Sequence, residues 1–596
     1  MKPLDLIGSF PYDLYPTIRV SQRATFEGMK GVEGKLIRQL PVGSGKTAIG
    51  ATYLYALRKQ GKRRLFYIAP NKTLVEQVHT LHPDMKVAYG RNEHPCLYYP
   101  DEKLRADEIP CSLLGDCPHR VDQLTGETHE EGAIPCPYLQ QKFEAKQMLA
   151  PVVCTNAFFL YTVLFSEEFE PEGVVIDEVH RLAQSIRSVL STEITDWKVQ
   201  RAVDVLDEVS PRQCAKLAAF LVSMRRLVKR HAMDKEVLLE EDQIKRLYEA
   251  LMTVNPAMLQ SEVRRAISSG KLDKRADREI LKQLEDIMRS VRRFQHALKF
   301  AMTGATERGY PLNFVIAFGK SEMGEHDRVQ YKIVVKDYYV VPLIKKLLPK
   351  DTLVYSATIV NPELLAFETG IKGDYASIPS GFPIENARIY LPTNTANLSV
   401  KSMSDSKREK TKMIRLIART AKRFANKGIR SLVIVVSNEE RTKFLEFAHE
   451  EGLKAISYGN GMPPRECAKR FRDGEGDCMV GTTANFGEGI DLPKKTAPVI
   501  FCLRPGYPRP DDPQTQFEER RFGKRRWALW NWRVMIDLLQ VRGRNIRSEK
   551  DLGVTFLISQ QFRRFAWGAL PDWLEPAYRG DLSFEECVKD AKKLLV

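Results

Sequence analysis

The chain has 596 residues, which is too long for one hydrophobic core and predicts about four domains. Hydrophobic residues make up 43% and charged residues 28%, the balance of a soluble globular protein, and no apolar run approaches the roughly 18 residues of a membrane span. Because the net charge is +16, we expect a polyanionic partner, of which nucleic acid is the commonest and an anionic membrane surface the alternative. The N-terminus has no signal-peptide apolar block, so we expect an intracellular protein, cytoplasmic and nucleoid-associated, with reduced thiols.

A proline-punctuated stretch leads into a predicted helix that begins near residue 19. Arg19 and Gln22 are three residues apart and share one face of that helix, so they could reach an adenine edge together. A solvated helix start is the alternative interpretation.

A glycine-rich loop follows, between a short apolar strand and a helix. Its candidate phosphate-binding residues are Gly43, Ser44, Gly45, Lys46 and Thr47. The glycines allow backbone N–H groups to turn toward a phosphate chain, while Lys46 would contact the terminal phosphates and Thr47 would bind Mg²⁺. Leu40 stands where the strict eight-residue pattern has its first glycine. The alternative is a glycine turn that happens to precede Lys-Thr.

A second helix and strand then continue the alternation of a parallel α/β sheet. The apolar strand Gly173 to Ile176 ends in Asp177 and Glu178. At the carboxyl edge of the sheet, Asp177 would hold Mg²⁺ through water and Glu178 would polarise the attacking water. Two acids after a strand also occur at ordinary helix N-termini, but the upstream glycine loop favours the chemical interpretation.

Residues 91–145, here called the cysteine segment, interrupt the α/β pattern with six prolines and little apolar periodicity. Four cysteines are strung through it: Cys96, Cys111, Cys117 and Cys136. A segment so poor in core residues needs a cross-link to hold one shape. The close cysteine pairs typical of structural zinc are absent, and four thiolates with a proline after the last favour a [4Fe–4S] cluster. Four unconnected cysteines are the alternative.

Residues 190–305, here called the helical insert, contain very few helix breakers and predict four or five helices. Pairs of basic residues on these helices could line a nucleic-acid channel or form solvated faces. Two alternating runs near residues 313–318 and 329–335 predict a hairpin, and a strand near 352–355 then returns to the sheet and ends in Ser-Ala-Thr.

A second α/β unit is predicted after residue 381. Near its end, residues 540–547 are predicted as a helix on which Gln540, Gly543, Arg544 and Arg547 share one face. Such a face must meet water or an anion, and guanidinium groups suit the charge on a γ-phosphoryl group in transfer. Residues 520–532 interleave cations with aromatics, as a single-strand surface does. Trp527 and Trp530 could equally be the buried side of a helix.

Taken in order, these motifs resemble those of superfamily 2 helicases, specifically the iron–sulfur helicases of the XPD/Rad3 and DinG type. The motifs are Arg19-x-x-Gln22, Gly43 to Thr47, the four cysteines ending Cys136-Pro137-Tyr138, Asp177-Glu178-Val179-His180, Ser356-Ala357-Thr358, Gly487-Glu488-Gly489-Ile490-Asp491 and Gln540-x-x-Gly543-Arg544-x-Ile546-Arg547. The family usually has Ala where Val179 stands, while Arg91 matches a basic position near its cluster.

The resemblance implies an α/β fold with two RecA-like motor domains, the first interrupted by a cluster domain and by a helical arch. The implied division is 1–90, 146–189 and 306–380 for the first motor domain, 91–145 for the cluster domain, 190–305 for the arch and 381–596 for the second motor domain. It also implies ATP, Mg²⁺ and a [4Fe–4S] cluster as cofactors, with Gly489, Asp491 and Gln540 on the ATP.

For function, the resemblance implies 5′-to-3′ translocation on single-stranded DNA and unwinding of forked DNA, in DNA repair, by a monomer. Repair or transcription proteins are possible partners, and no membrane is expected. Three alternatives stay open: a DinG-like role, a scaffold subunit that uses its nucleotide as a conformational lock, and an iron–sulfur redox sensor.

Overall fold

The structure is a computed structural model. It describes residues 4–595 except 101, 148–149, 165–169, 231–236, 305–313, 324–327, 338, 380–382, 400–402, 460, 487–491, 493–495, 511, 544–545, 547–549, 566–569 and 571–573.

The strands of the described residues are short and mostly apolar. In chain order they are β1 Leu36–Gln39, β2 Leu65–Ala69, β3 Lys86–Ala88, β4 Val152–Thr155, β5 Gly173–Ile176, β6 Thr192–Thr195, β7 Val237–Leu238, β8 Phe314–Met323, β9 Arg328–Asp337, β10 Thr352–Ser356, β11 Asp374–Ser377, β12 Ala387–Tyr390, β13 Ser431–Val435, β14 Ala455–Ile456, β15 Cys478–Thr482, β16 Val499–Cys502, β17 Gly553–Leu557 and β18 Tyr578–Arg579.

The α-helices of the same residues are α1 Val20–Met29, α2 Lys46–Lys59, α3 Lys72–Leu81, α4 Pro137–Gln147, α5 Asn156–Leu164, α6 Leu182–Leu190, α7 Asp196–Val209, α8 Pro211–Arg230, α9 Glu241–Met252, α10 Pro256–Ser268, α11 Arg278–Gly304, α12 Val341–Leu347, α13 Pro362–Thr369, α14 Met403–Ala425, α15 Asn438–Glu450, α16 Pro464–Arg472, α17 Thr483–Phe486, α18 Pro513–Phe522, α19 Arg526–Arg542 and α20 Phe584–Leu595. None of them is long and apolar enough to cross a bilayer.

Seven parallel strands form the first sheet, in the order β11-β1-β10-β5-β2-β4-β3. Its central strands β1, β2, β5 and β10 are buried along their whole length, because helices cover both faces of a parallel sheet. Strand β1 lies between β10 and β11, with Leu36 paired to Leu353 on one side and to Asp374 on the other.

Seven more parallel strands form the second sheet, in the order β14-β15-β13-β16-β17-β12-β18. The predicted α/β class with two parallel sheets is therefore confirmed. The carboxyl ends of the strands in each sheet carry the loops in which ligand sites of such sheets are found.

Helix α19 packs against the cores of both sheets. Leu529, Trp532 and Ile536 contact the core on the first sheet. The adjacent face, which includes Val534, Met535, Leu538, Leu539 and Val541, packs in the core of the second sheet. One helix therefore contacts both halves of the molecule along its length.

The helical insert contains α7 to α11, within the predicted four or five helices. The predicted hairpin is formed by β8 and β9, but its strands pair with β6 and β7 in a separate antiparallel sheet, β6-β9-β8-β7. Ile333 and Val335 of β9 lie in the core of the helical insert. The hairpin therefore extends the helical insert rather than the first sheet. The sequence could not indicate this, because an alternating pattern predicts a half-buried strand but not the sheet that the strand joins.

The predicted helix over residues 540–547 ends earlier. Helix α19 stops at Arg542 and Gly543 is its C-cap residue. Gln540 is therefore helical and Gly543 lies at the end of α19, while Arg544 and Arg547 lie outside the described residues. A glycine is the commonest residue just past a helix end, and this was the available signal.

Candidate nucleotide site and cysteine cavity

The glycine loop joins the end of β1 to the N-terminus of α2. Gly43 and Gly45 have φ of 82° and 77°, a left-handed conformation that a side chain would strain. A Cβ atom on Gly45 would also lie 2.3 Å from Nε2 of Gln22. The loop therefore needs glycine at Gly45 for two reasons, and it places the N-terminal N–H groups of α2 where an anion can reach them.

Arg19 and Gln22 lie against this loop. Nη1 of Arg19 donates to the carbonyl oxygen of Gly43 at 2.6 Å, and Nε2 of Gln22 lies 3.5 Å from that of Gly45. Oε1 of Gln22 accepts from the backbone N–H of Arg19 at 2.9 Å, which caps α1. The pair predicted from helix spacing is thus next to the glycine loop.

The acidic pair lies opposite the loop lysine. Nζ of Lys46 is 2.8 Å from Oε1 of Glu178, and both side chains are largely shielded from solvent. Glu178 has φ of 51°, an uncommon conformation for a residue with a side chain and one that is enriched at functional sites. Its backbone N–H donates to Oδ1 of Asp177 at 2.8 Å, which orients the Asp177 carboxylate.

The two carboxyl groups differ in their electrostatics. Burial raises the pKa of Asp177 to about 6, against the opposing effect of Lys46. Burial also acts to raise the pKa of Glu178, but the Lys46 ammonium and the hydrogen bonds to this carboxylate outweigh it and lower that pKa to about 2. Neighbouring acids with separated pKa values are the usual sign of different chemical roles.

A hydroxyl and an imidazole continue the network. Oγ of Ser356 donates to Oε2 of Glu178 at 2.8 Å and lies 2.8 Å from Nδ1 of His180. Burial lowers the pKa of His180 to about 4, so its ring is neutral at pH 7. Because the single serine proton goes to Glu178, Nδ1 of His180 carries the hydrogen and donates to Ser356.

Helix α19 lies close to the glycine loop and to the residues that follow β10. Nε2 of Gln540 donates to Oγ1 of Thr358 at 2.8 Å, and a Cβ atom on Gly543 would lie 4.0 Å from Cγ2 of Val42 in the glycine loop. Residues about 500 positions apart in the sequence therefore meet at the glycine loop.

The structure brings together most of the nucleotide residues predicted from the sequence. They are Arg19, Gln22, Gly43, Ser44, Gly45, Lys46, Thr47, Asp177, Glu178 and Gln540. Gly489, Asp491, Arg544 and Arg547 lie outside the described residues.

Two buried tyrosines behind the site were not predicted. The hydroxyl of Tyr67 lies 2.6 Å from that of Tyr355 and 3.5 Å from Oδ2 of Asp177. A Cβ atom on Gly50 of α2 would lie 2.6 Å from the Tyr355 hydroxyl, so that glycine leaves room for the pair. The available signal was a tyrosine in each of two fully buried central strands, β2 and β10.

The four cysteines of the cysteine segment line one cavity of about 330 Å³. They are exposed or half-buried, whereas the other six cysteines of the chain are buried in cores. In the described part of the chain, no three His, Cys, Asp or Glu side chains converge on a point suited to one metal ion. The four thiols line the wall of the cavity.

The protonation of these thiols is set by their surroundings. Burial raises the pKa of Cys111 to about 11 and also raises the pKa values of Cys96 and Cys117. Nη2 of Arg91 lies 3.2 Å from Sγ of Cys111, which favours the thiolate locally. Metal ligation requires thiolates, so a bound cation would release protons here.

The far side of this cavity is closed by the helical insert. Glu285 and Arg289 of α11 line it, and Oε1 of Glu285 accepts from the N–H of Ser112 at 2.7 Å. The carbonyl oxygen of Ser112 accepts from Gln260 at 2.9 Å and from Arg264 at 2.5 Å. We call these contacts the Ser112 seam, and they join the cysteine segment to the helical insert.

Family models match two parts of the chain. The family described as type III restriction enzyme, res subunit, matches residues 18–208, and the helicase C-terminal domain family matches residues 421–577. A search of curated proteins gives no match.

Solved structures of XPD helicases have the same fold over nearly the whole chain. One XPD helicase is 15% identical and is covered in full, with 95% of this chain aligned and a TM-score of 0.60. XPD in its apo form is 13% identical, covering 94% of this chain and 99% of the other, with a TM-score of 0.53. Xpd4 of S. tokodaii is 11% identical, covering 92% and 96%, with a TM-score of 0.53. The two parallel sheets are therefore RecA-like helicase domains in fold.

Proposed function

We infer that this chain is an XPD/Rad3-like superfamily 2 helicase, an ATP-dependent DNA helicase that moves 5′-to-3′ on single-stranded DNA in DNA repair. Its XPD-like fold and its two family matches support the inference. One observation carries the proposal. The ion-paired Lys46 and Glu178 on the first sheet lie in one hydrogen-bonded network with Ser356, and α19 of the second half reaches that wall through Gln540.

For the nucleotide, we propose that the backbone of Gly43, Ser44 and Gly45 binds the phosphates. Lys46 pairs with the terminal phosphate, while Thr47 and Asp177 hold Mg²⁺. Arg19 and Gln22 would bind the adenine edge, as their contacts with the loop support.

The residues on the second side of the nucleotide site are proposed from the resemblance to the XPD/Rad3 and DinG helicases. Gln540, Gly489 and Asp491 would contact the ATP, and Arg544 and Arg547 would stabilise the charge on the γ-phosphoryl group. Helix α19 runs up to residue 542 beside the glycine loop, which supports an approach from this direction.

The Lys46–Glu178 pair suggests how hydrolysis is timed. A terminal phosphate competes with Glu178 for the Lys46 ammonium, because both are anions within reach of one cation. When Lys46 moves to the phosphate, the pKa of Glu178 rises and its carboxylate becomes a better base for water. The bound nucleotide would thus activate the base that polarises the attacking water.

We propose that Cys96, Cys111, Cys117 and Cys136 hold a [4Fe–4S] cluster. The cluster supplies a covalent cross-link for a segment that has few core residues of its own. Anaerobic purification followed by iron and sulfide analysis tests this, and iron in the absence of acid-labile sulfide would contradict it.

We propose the four domains implied by the resemblance, with the hairpin β8–β9 assigned to the arch because β9 pairs with β6. The partners we propose are single-stranded and forked DNA, recognised through phosphates and stacked bases. The chain is proposed to act as a cytoplasmic monomer.

The deciding experiment compares unwinding of forked duplexes that carry a tail at the 5′ or the 3′ end. A helicase of this polarity unwinds only the substrate with a 5′ tail, and it needs hydrolysable ATP. A scaffold that uses its nucleotide as a lock unwinds neither.

The matched variants are Lys46→Ala and Lys59→Ala, at opposite ends of α2. Lys46→Ala should abolish ATP hydrolysis and leave single-strand binding. Lys59, which donates to the carbonyl oxygen of Gly8, should be replaceable without loss of hydrolysis. Retained hydrolysis in Lys46→Ala would refute the assignment of the glycine loop.

A further inference from the structure

The link between β10 and α13 contains a strained turn, here called the Val360 turn (residues 358–361). Val360 has φ of 61°, a region that β-branched residues rarely adopt because Cβ meets the backbone. The N–H of Asn361 donates to the carbonyl oxygen of Ile359 at 2.6 Å, which closes a γ-turn of the rare positive-φ form. Such a backbone persists only where its surroundings hold it.

Gln39 holds the turn from the side of the first sheet. Its Oε1 accepts from the N–H groups of both Ile359 and Val360, at 2.9 and 2.7 Å, and its Nε2 donates to Oγ of Ser377 at 3.1 Å. Gln39 is buried and is the last residue of β1, directly before the glycine loop. The turn is therefore bonded to the strand that positions the phosphate-binding residues.

Helix α19 holds the turn from the other side. Nε1 of Trp532 donates to the carbonyl oxygen of Ile359 at 2.8 Å, and Gln540, eight residues later, donates to Thr358. Trp532 is almost fully buried. Because α19 also packs in the core of the second sheet, the Val360 turn is a hydrogen-bonded joint between the two halves of the molecule.

The turn is also linked to the proposed catalytic carboxylate. The N–H of Thr358 donates to Oγ of Ser356 at 3.1 Å, and Ser356 donates to Glu178. A change in the turn therefore reaches Glu178 through one hydroxyl group.

We propose that Gln39 and Trp532 are positioning residues for ATP hydrolysis, which together keep the Val360 turn in its strained form so that Ser356 is aligned on Glu178 only while α19 is docked. The inference rests on the proposed ATPase function. If α19 separates from the first sheet, the Trp532 bond is lost and the turn relaxes. Hydrolysis is thereby restricted to the state in which both halves are together.

The first test replaces Trp532 by Phe, which removes the N–H donor and keeps most of the ring. The control is Trp530→Phe on the same helix, where Nε1 donates to Glu518 instead. We expect Trp532→Phe to lower the kcat of ATP hydrolysis stimulated by single-stranded DNA about tenfold, as the loss of one buried hydrogen bond at the joint implies. The KM for ATP should stay within about twofold, and Trp530→Phe should retain the stimulated rate.

The second test uses Val360→Gly, since glycine adopts positive φ without strain. If Trp532 acts by holding the strained backbone, it is needed less when the strain is removed. The double variant Val360→Gly/Trp532→Phe should therefore recover most of the rate lost in Trp532→Phe. Additive losses in the double variant, or a Trp532→Phe protein with a lower Tm and full kcat, would overturn the proposal.

A third measurement does not depend on ATPase activity. Gln39→Glu keeps an oxygen that accepts from both N–H groups, whereas Gln39→Met removes it at similar length. Hydrogen exchange at the amides of Ile359 and Val360 should accelerate in Gln39→Met and not in Gln39→Glu. Equal exchange rates in the two variants would show that Gln39 does not hold the Val360 turn. A wild-type chain with no ATPase would refute the proposed function, while the exchange data would still decide whether the turn is held as described.

Discussion

At the scale of single residues, the proposed chemistry depends on the different environments of the Glu178 and Asp177 carboxyl groups. The Lys46 ammonium and the Ser356 hydroxyl both contact Glu178, while Asp177 is buried beside two tyrosine hydroxyl groups. Glu178 is therefore kept ionised, whereas Asp177 has a raised pKa. Adjacent positions in the sequence thus have different proton affinities because their partners come from different elements.

Glu178→Gln should lower the kcat of ATP hydrolysis by about 10² to 10⁴, the usual contribution of a general base. Binding of ATP should be kept, since the amide can still accept from Ser356. Phosphate release and nucleotide titration measure the two effects separately. Glu172→Gln, a change at the other end of β5, is the control, and an equal loss of kcat there would argue against a specific role for Glu178.

At the scale of elements, the side chains of α19 lie in different environments along the helix. Trp527 at its start is 48% exposed, whereas Trp530 one turn later is 6% exposed. Trp530 therefore lies on the buried side of the helix, whereas the single-strand surface stays a prediction for the exposed Trp527. Trp530 donates to buried Glu518, while the Trp527 ring lies in a surface cluster with Arg526 and Tyr507.

We predict that Trp527→Ala weakens binding of single-stranded DNA by about tenfold, because stacking of one base on an aromatic ring contributes about 1–3 kcal/mol. Trp197→Ala is the matched control, since that ring is also exposed and also lies beside an arginine, Arg201, at 4.6 Å. Fluorescence anisotropy with a labelled oligonucleotide measures both. Unchanged affinity in Trp527→Ala would exclude this surface as a stacking platform.

A buried ion network joins α19 to the helices on the first sheet. Glu368 of α13 lies 2.7 Å from Arg187 of α6 and 2.8 Å from Arg533 of α19, and Arg533 also pairs with Glu518 of α18. Burial acts to raise the pKa of Glu368, but the two guanidinium groups outweigh it and lower that pKa to about 2.

The stability that this carboxylate contributes has a defined pH window. A carboxyl group with a lowered folded-state pKa stabilises the fold above its unfolded pKa and loses that effect as the pH falls through the folded value. Glu368→Gln should therefore destabilise the protein at pH 7 by about 3 kcal/mol. The difference in Tm from the wild type should shrink between about pH 4.5 and about pH 2. A difference that persists unchanged to pH 2 would show that packing, rather than charge, is responsible.

At the scale of the whole molecule, the cysteine segment and the helical insert are held to one another as well as to the first sheet. The Ser112 seam joins them beside the cysteine cavity, and Lys274 and Arg278 of the insert form ion pairs with Asp116 and Glu102. A change in the cysteine cavity should therefore alter the packing of the helical insert.

Cys111→Ser should prevent binding of the proposed cluster and loosen the Ser112 seam, because Ser112 is the next residue. We expect lower iron and sulfide content, faster proteolysis within both segments, and loss of fork unwinding with ATP hydrolysis retained. Cys214→Ala, a change in the core of the helical insert away from the cavity, should keep its iron. Full unwinding by a Cys111→Ser protein that contains no iron would remove the cluster from the mechanism.

The sequence predicted best what is local. The glycine loop, the acidic pair and the strands that carry them are each encoded in a few consecutive residues, and apolar periodicity was enough to place the two sheets. The hydrogen bonds of Ser356 and Trp532, the hairpin that pairs with β6, and the strain at Val360 depend on residues far apart in the chain. No short-range pattern specifies such contacts.

The position of β1 has a consequence for synthesis on the ribosome. This strand, which leads into the glycine loop, has β10 and β11 as its two neighbours, and both are made more than 300 residues later. The strand that leads into the glycine loop therefore has no strand partner until residues 352–377 have emerged. Nascent chains that end before this point would leave β1 as an unpaired strand, which is the kind of edge that chaperones cover.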